Sequence, residues 1–105
     1  MTNVLLAYIP CKDITEAEQI GSELLKRKLC GCINIIPEIT SMYPYHGTMQ
    51  KEKEVVLIAK TIEENYAKLE TAVEELHSYE TPCVIAIPAA HINRKYYDWL
   101  VGEIQ

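Results

Sequence analysis

Phenylalanine is absent from this chain of 105 residues, tryptophan occurs once, and glycine only four times. The formal net charge is -5, from 15 acidic and 10 basic residues. A sheet that reads RNA needs stacking aromatics and a basic surface, so neither composition nor charge suits one. The summed field also repels phosphate backbones and anionic lipid, which argues against nucleic acid and against a membrane as partners. A phosphohydrolase needs an arginine and a cradle of backbone amides. The arginines here are Arg27 and Arg94, in or beside helical segments, and no glycine-rich loop accompanies them. No apolar run approaches the roughly 18 residues of a membrane span. The first ten residues lack a basic stretch, and the apolar run Val4 to Ile9 is shorter than a secretory core of about 7 to 15. Cysteine is sparse for a disulfide scaffold, at Cys11, Cys30, Cys32 and Cys83. These absences predict free thiols in the reducing cytoplasm.

What remains is ordinary for a globular protein: 49% apolar and 24% charged residues, with a mean hydropathy of -0.05 and a mass of 12.0 kDa. That size predicts one domain over residues 1–105, with one core. Asn3 to Ile9 reads as a buried strand. From Asp13, apolar residues Ile14, Ala17, Ile20, Leu24 and Leu25 recur at helical spacing, with Asp13 and Glu16 as a capping box and Gly31 as the stop. Cys32 to Tyr45 and Lys51 to Thr61 read as two long strands turning at Gly47, with Pro37 and Pro44 marking an edge, a bulge or a bend. Ile62 to Leu76 reads as a second helix capped by Thr61 and Glu64, Cys83 to Ile87 as a short strand, and Asn93 to Ile104 as a last short helix. The order β-α-β-β-α-β predicts an α+β, ferredoxin-like sandwich with an extended hairpin and a C-terminal helix.

That fold serves many functions, so the side chains must decide. A Cys-His nucleophile has nothing in the sequence to position it. Cys30 and Cys32 face one side of a strand and read as buried core thiols, while Cys11, in the loop after Pro10, is expected to be exposed. His77 at a helix end and Cys83 at a strand start are the candidate metal ligands, because imidazole and thiolate suit copper or zinc. A helix-terminal histidine held by the dipole is the competing reading. His46 and His91 are expected at the surface. Charged groups beside apolar runs, Glu54, Lys60 and Glu80, would line a cleft between subunits if the protein is an oligomer.

The run Lys28-Leu29-Cys30-Gly31-Cys32, then Asn34, Ile36-Pro37, Thr40-Ser41-Met42-Tyr43, Tyr45, Gly47, Glu54-Val55, Lys60-Thr61, His77, Tyr79-Glu80-Thr81-Pro82, Pro88 and Tyr96 to Trp99 resembles the CutA divalent-cation tolerance family over nearly the whole chain. The resemblance implies a homotrimer in which the long hairpin pairs with a neighbour. It implies a non-catalytic protein of divalent-cation, notably copper, binding, tolerance or response. Copper or another divalent metal would be a ligand but is not required for the fold. The alternative it carries is a PII-like signalling or scaffold trimer. Such a trimer would bind a small molecule or partner in an inter-subunit cleft near Tyr43, Glu54, Lys60, Tyr79, Glu80 and Trp99. The first-strand cysteine of copper-binding members is Ala7 here, and of their histidine pair only His77 remains; Cys83, where the family usually has glutamate, would supply a soft ligand near it.

Overall fold

Residues 2–105 are described by a computed structural model. Strands β1 (Val4–Cys11), β2 (Cys32–Tyr45), β3 (Thr48–Ile62) and β4 (Ile85–Pro88) alternate with helices α1 (Ile14–Lys26) and α2 (Tyr66–Leu76), and α3 (Arg94–Ile104) closes the chain. The sheet runs β2-β3-β1-β4 with antiparallel neighbours throughout. This is the ferredoxin-like order that the alternation of elements predicts.

Strand side chains alternate between faces, and here both faces are apolar. On one face Ala7, Ile9 and Cys11 of β1 and Val55, Leu57 and Ala59 of β3 pack under Ala17, Ile20 and Leu24 of α1 and Leu69, Ala72 and Val73 of α2. On the other, Val4 and Ile62 meet Tyr97, Leu100 and Ile104 of α3. The expected single core is therefore two clusters. Helix α3 covers only one end of its face. The register sets Cys32, Lys60, Leu6 and Ile87 in one row, where Cys32 and Lys60 still meet α3, and Asn34, Ile58, Tyr8 and Ile85 in the row beyond it. Ile85 and Ile87 remain 53% and 46% exposed.

The hairpin outgrows the sheet. β1 pairs with β3 only from Val55 onward, so Thr48 to Glu54 pair with β2 alone, a projection of about 23 Å at roughly 3.3 Å per residue. The radius of gyration is accordingly 14.4 Å, against about 13 Å for a compact chain of this length. Pro37 lies in a bulge between Ile36 and Ile39, where a missing amide disturbs the ladder least. At the tip, Tyr45 pairs with Thr48 across His46 and Gly47. Both central residues have positive φ, 49° and 79°, as a two-residue primed turn requires.

Several local expectations are corrected. Helix α1 stops at Lys26, and Lys28, not Gly31, takes the left-handed conformation at φ 57°. Leu29 N–H donates to Leu24 O and Lys28 N–H to Leu25 O, the Schellman pattern. Gly31 serves close approach instead: a Cβ there would lie 2.8 Å from Leu100 Cδ1. Thr61 is no helix cap. It belongs to β3, and its buried hydroxyl donates to Leu29 O at 2.6 Å. A 3-10 turn at Glu63–Asn65 precedes α2, whose cap Asn65 makes no side-chain capping bond. β4 begins at Ile85, because β1 offers it only Leu5 to Tyr8 as partners.

Candidate functional site

β1 runs through Pro10 to Cys11, so Cys11 is fully buried and not, as its position after a proline suggested, exposed. Past Tyr8, β1 has no neighbour on the β4 side. The Pro10 carbonyl is used there by a side chain: His77 Nε2 lies 2.8 Å from it. The other ring nitrogen, Nδ1, accepts from the Tyr79 N–H at 3.1 Å. These two bonds assign the neutral Nε2–H tautomer. Glu16 completes the junction. Asp13 accepts from the Glu16 N–H at 2.8 Å, half of a capping box. The Glu16 carboxylate reaches one residue further back, accepting from Lys12 N–H at 3.0 Å, while its second oxygen accepts from Ser78 N–H at 2.9 Å.

Cys11, Glu16 and His77 bring their donor atoms within 4.8 Å of one another, and all three are buried. The group does not fit a ready metal site. Each imidazole nitrogen already has a partner, and the thiol is pushed up to about 12 by burial and then by the nearby carboxylates. Among the described residues no buried side-chain nitrogen or oxygen lacks a hydrogen bond.

In front of this junction lies a cavity of about 710 Å³, between one face of the projecting hairpin and the loop after α2. Its wall carries Glu52, Glu54 and Glu80, with Tyr43, Tyr45, Tyr79 and Cys83. No lysine or arginine is among its described lining residues. Period-two alternation makes it acidic: Gln50, Glu52 and Glu54 share one side of β3, while Lys51 and Lys53 point to the other. Glu54 is fixed at both oxygens, by Tyr79 Oη donating at 2.8 Å and Ser41 Oγ donating at 2.5 Å. Burial, followed by the bond to Glu54, holds the Tyr79 phenol far above the ordinary tyrosine range. The bond to Glu52 raises Tyr43, and burial with the Glu54 charge raises Cys83.

Of the residues singled out from the sequence, Tyr43, Glu54, Tyr79, Glu80 and Cys83 meet in this cavity. His77 stands behind it, its ring 4.6 Å from that of Tyr79. Lys60 and Trp99 lie elsewhere in the fold. Lys60 Nζ donates to Tyr96 Oη at 3.1 Å and sits 4.9 Å from that ring's centre, and Tyr96 is 5.6 Å from Trp99. Glu54 and Lys60 share a face of β3 but are separated along it by about 20 Å, at roughly 3.3 Å per residue. Glu52, Ser41 and Glu16 were not foreseen as site residues. The alternation of lysine and glutamate from Lys51 to Glu54 was the signal for Glu52.

Fold and cavity together define a class: a small ferredoxin-like sandwich with an overlong hairpin and an acidic, tyrosine-walled recess along one face of it. The chain belongs to the CutA1 divalent ion tolerance protein family, whose model matches residues 5–103. It is 36% identical over 100 residues to the divalent-cation tolerance protein CutA of Thermus thermophilus, covering 95% of both chains. Its identity to the protein of that name from Archaeoglobus fulgidus is 38% over 98 residues, covering 93% of this chain and 95% of that one. The solved structure of an Archaeoglobus fulgidus CutA, described as periplasmic, superimposes with a TM-score of 0.94 at 33% identity, covering 97% of this chain and 99% of that chain. No helix among the described residues is long and apolar enough to cross a membrane.

Proposed function

We propose that this protein binds divalent cations, copper among them, and does so as a homotrimer without catalysing a reaction. The observation that carries the reading is the cavity whose wall holds three carboxylates and no described cationic side chain. Carboxylate and phenol oxygens suit hard divalent ions, and the Cys83 sulfur adds an affinity for softer ones. Glu80 is the most available donor, since no hydrogen bond or ion pair among the described residues engages it. Of the two expected ligands, Cys83 fits the cavity as a donor, whereas His77 fits as support because both its nitrogens are engaged. The family name supports the cation as the ligand. Four unpaired thiols favour a reducing compartment, and we place the protein in the cytoplasm.

Calorimetric titration with zinc and with copper tests the site. Binding to the wild type that weakens at least tenfold in Glu54→Gln and in Glu80→Gln supports it; unchanged affinity in both variants removes it. The trimer reading has separate support. The single domain of residues 1–105 leaves Ile85 and Ile87 on an uncovered sheet face and Met42, Tyr45 and Met49 exposed on the hairpin. A closed ring of copies would bury these and the two sheet edges. Light scattering near 36 kDa, roughly three subunits in a closed ring, supports it, and a value near one subunit refutes it.

A further inference from the structure

The buried junction and the acidic cavity are joined by one continuous set of contacts. Between α2 and β4, Ser78 to Cys83 take part in no backbone–backbone hydrogen bond among the described residues. The amides of Ser78 and Tyr79 are instead held by two buried side chains, Glu16 Oε2 at 2.9 Å and His77 Nδ1 at 3.1 Å. The His77 ring also packs against the Tyr79 ring, 4.6 Å between centres and tilted by 53°. Tyr79 in turn reaches across the cavity to Glu54 Oε2 at 2.8 Å, and Ser41 secures the other oxygen. A loop without its own ladder adopts many conformations unless side chains fix it, and a carboxylate held at both oxygens is preorganised for what it binds.

We propose that Glu16 and His77 are positioning residues: they hold the loop that carries Tyr79 so that its hydroxyl fixes Glu54, and neither donates to a cation in the cavity. Ligation through Nδ1 would release the Tyr79 amide, and ligation through Nε2 would leave the Pro10 carbonyl without its donor. Both bonds are half-buried, where a lost partner is costly. The effect on cation affinity rests on the cavity reading above; the effect on Tyr79 does not.

The test uses wild type, His77→Asn, His77→Leu, Tyr79→Phe and the His77→Leu/Tyr79→Phe double variant. Asparagine can place an oxygen near the position of Nδ1, and leucine cannot. Amide hydrogen exchange at Ser78 and Tyr79 follows the loop in metal-free protein, and calorimetry follows zinc. His77→Leu is expected to speed exchange of the Tyr79 amide at least tenfold and to weaken zinc about tenfold, with His77→Asn restoring most of both. Added to Tyr79→Phe, His77→Leu is expected to cost no further zinc affinity. In wild type the His77 ring should keep its Nε2–H tautomer when zinc is added. Unchanged exchange of the Tyr79 amide in His77→Leu, fully additive losses, or metal-induced shifts at the His77 nitrogens overturns the proposal. If zinc fails to bind the wild type while the Tyr79 amide still responds to His77→Leu, the cation reading fails and the positioning role stands. Should His77→Leu not fold, the His77 tautomer in wild type with and without zinc decides.

Discussion

Glu16→Gln removes one formal charge and one acceptor from a side chain that is 6% exposed. The wild-type carboxylate accepts two backbone amides, from Lys12 at 3.0 Å and Ser78 at 2.9 Å. Glutamine can accept only one of them with its oxygen; its NH2 then faces the other N–H, donor against donor. Hydrogen bonds to charged groups contribute about 1.5–3 kcal/mol each, so losing one of the two is expected to cost about 2–3 kcal/mol. For a chain of this size that is a fall in Tm of roughly 10–20 °C. The pH dependence gives an internal control. Burial alone would push the Glu16 carboxyl up, but the bonds from Ser78 and Lys12, with His77 nearby, outweigh it and hold the group below its usual range. A carboxyl depressed in the folded state contributes stability above its unfolded value near 4.3, and that contribution is lost as pH falls through the folded value. The gap between wild type and Glu16→Gln should therefore be full at pH 7 and shrink steadily below about pH 4.5. Urea denaturation at fixed protein concentration from pH 7 to pH 3 measures it. A gap below about 0.5 kcal/mol at pH 7, under the low end for a single neutral hydrogen bond, or one that does not change with pH, would refute the reasoning.

Other substitutions probe the scaffold. Leu57 is fully buried between the sheet and the helices, and Leu57→Ala should lower stability by about 2–5 kcal/mol, read as a lower urea midpoint. Lys28 holds φ 57° at the end of α1, where a side chain is strained; Lys28→Gly should raise stability by about 0.5–1 kcal/mol in the same assay. Cys11 and Cys30 are buried thiols pushed up to about 12. A disulfide reagent at pH 8 should leave both unlabelled in the folded protein and label all four cysteines in denaturant, as mass spectrometry of the peptides would report.

The order of elements was legible because each carries its own period: the three-four spacing from Ile14 to Leu25 can form little but a helix, and Asn3 to Ile9 little but a buried strand. Element ends were less legible, because tertiary contacts set them. Thr61 and Glu64 have capping spacing, yet the Thr61 hydroxyl is taken by Leu29 O, a partner 32 residues away in sequence. Pro10 reads as a strand stop, but on the side where β4 has ended no ladder amide is needed there, so β1 continues and carries Cys11 into the core. Gly31 reads as a helix stop, whereas its missing side chain makes room for Leu100, which the sequence places far away. For the site, five of the residues named from the sequence converge on one cavity. Glu16 escaped notice because a helix-cap glutamate looks the same whether or not its second oxygen reaches across to another loop.

The proposed divalent cation would sit in the recess between the hairpin and the loop after α2. Crystals soaked with zinc and with copper, and measured at each metal's absorption edge, locate the ion directly. An anomalous peak is expected in the cavity, in contact with Glu54 or Glu80 and with Cys83 for copper. A peak instead at Cys11, Glu16 and His77, or no peak in the cavity at saturating metal, would contradict it.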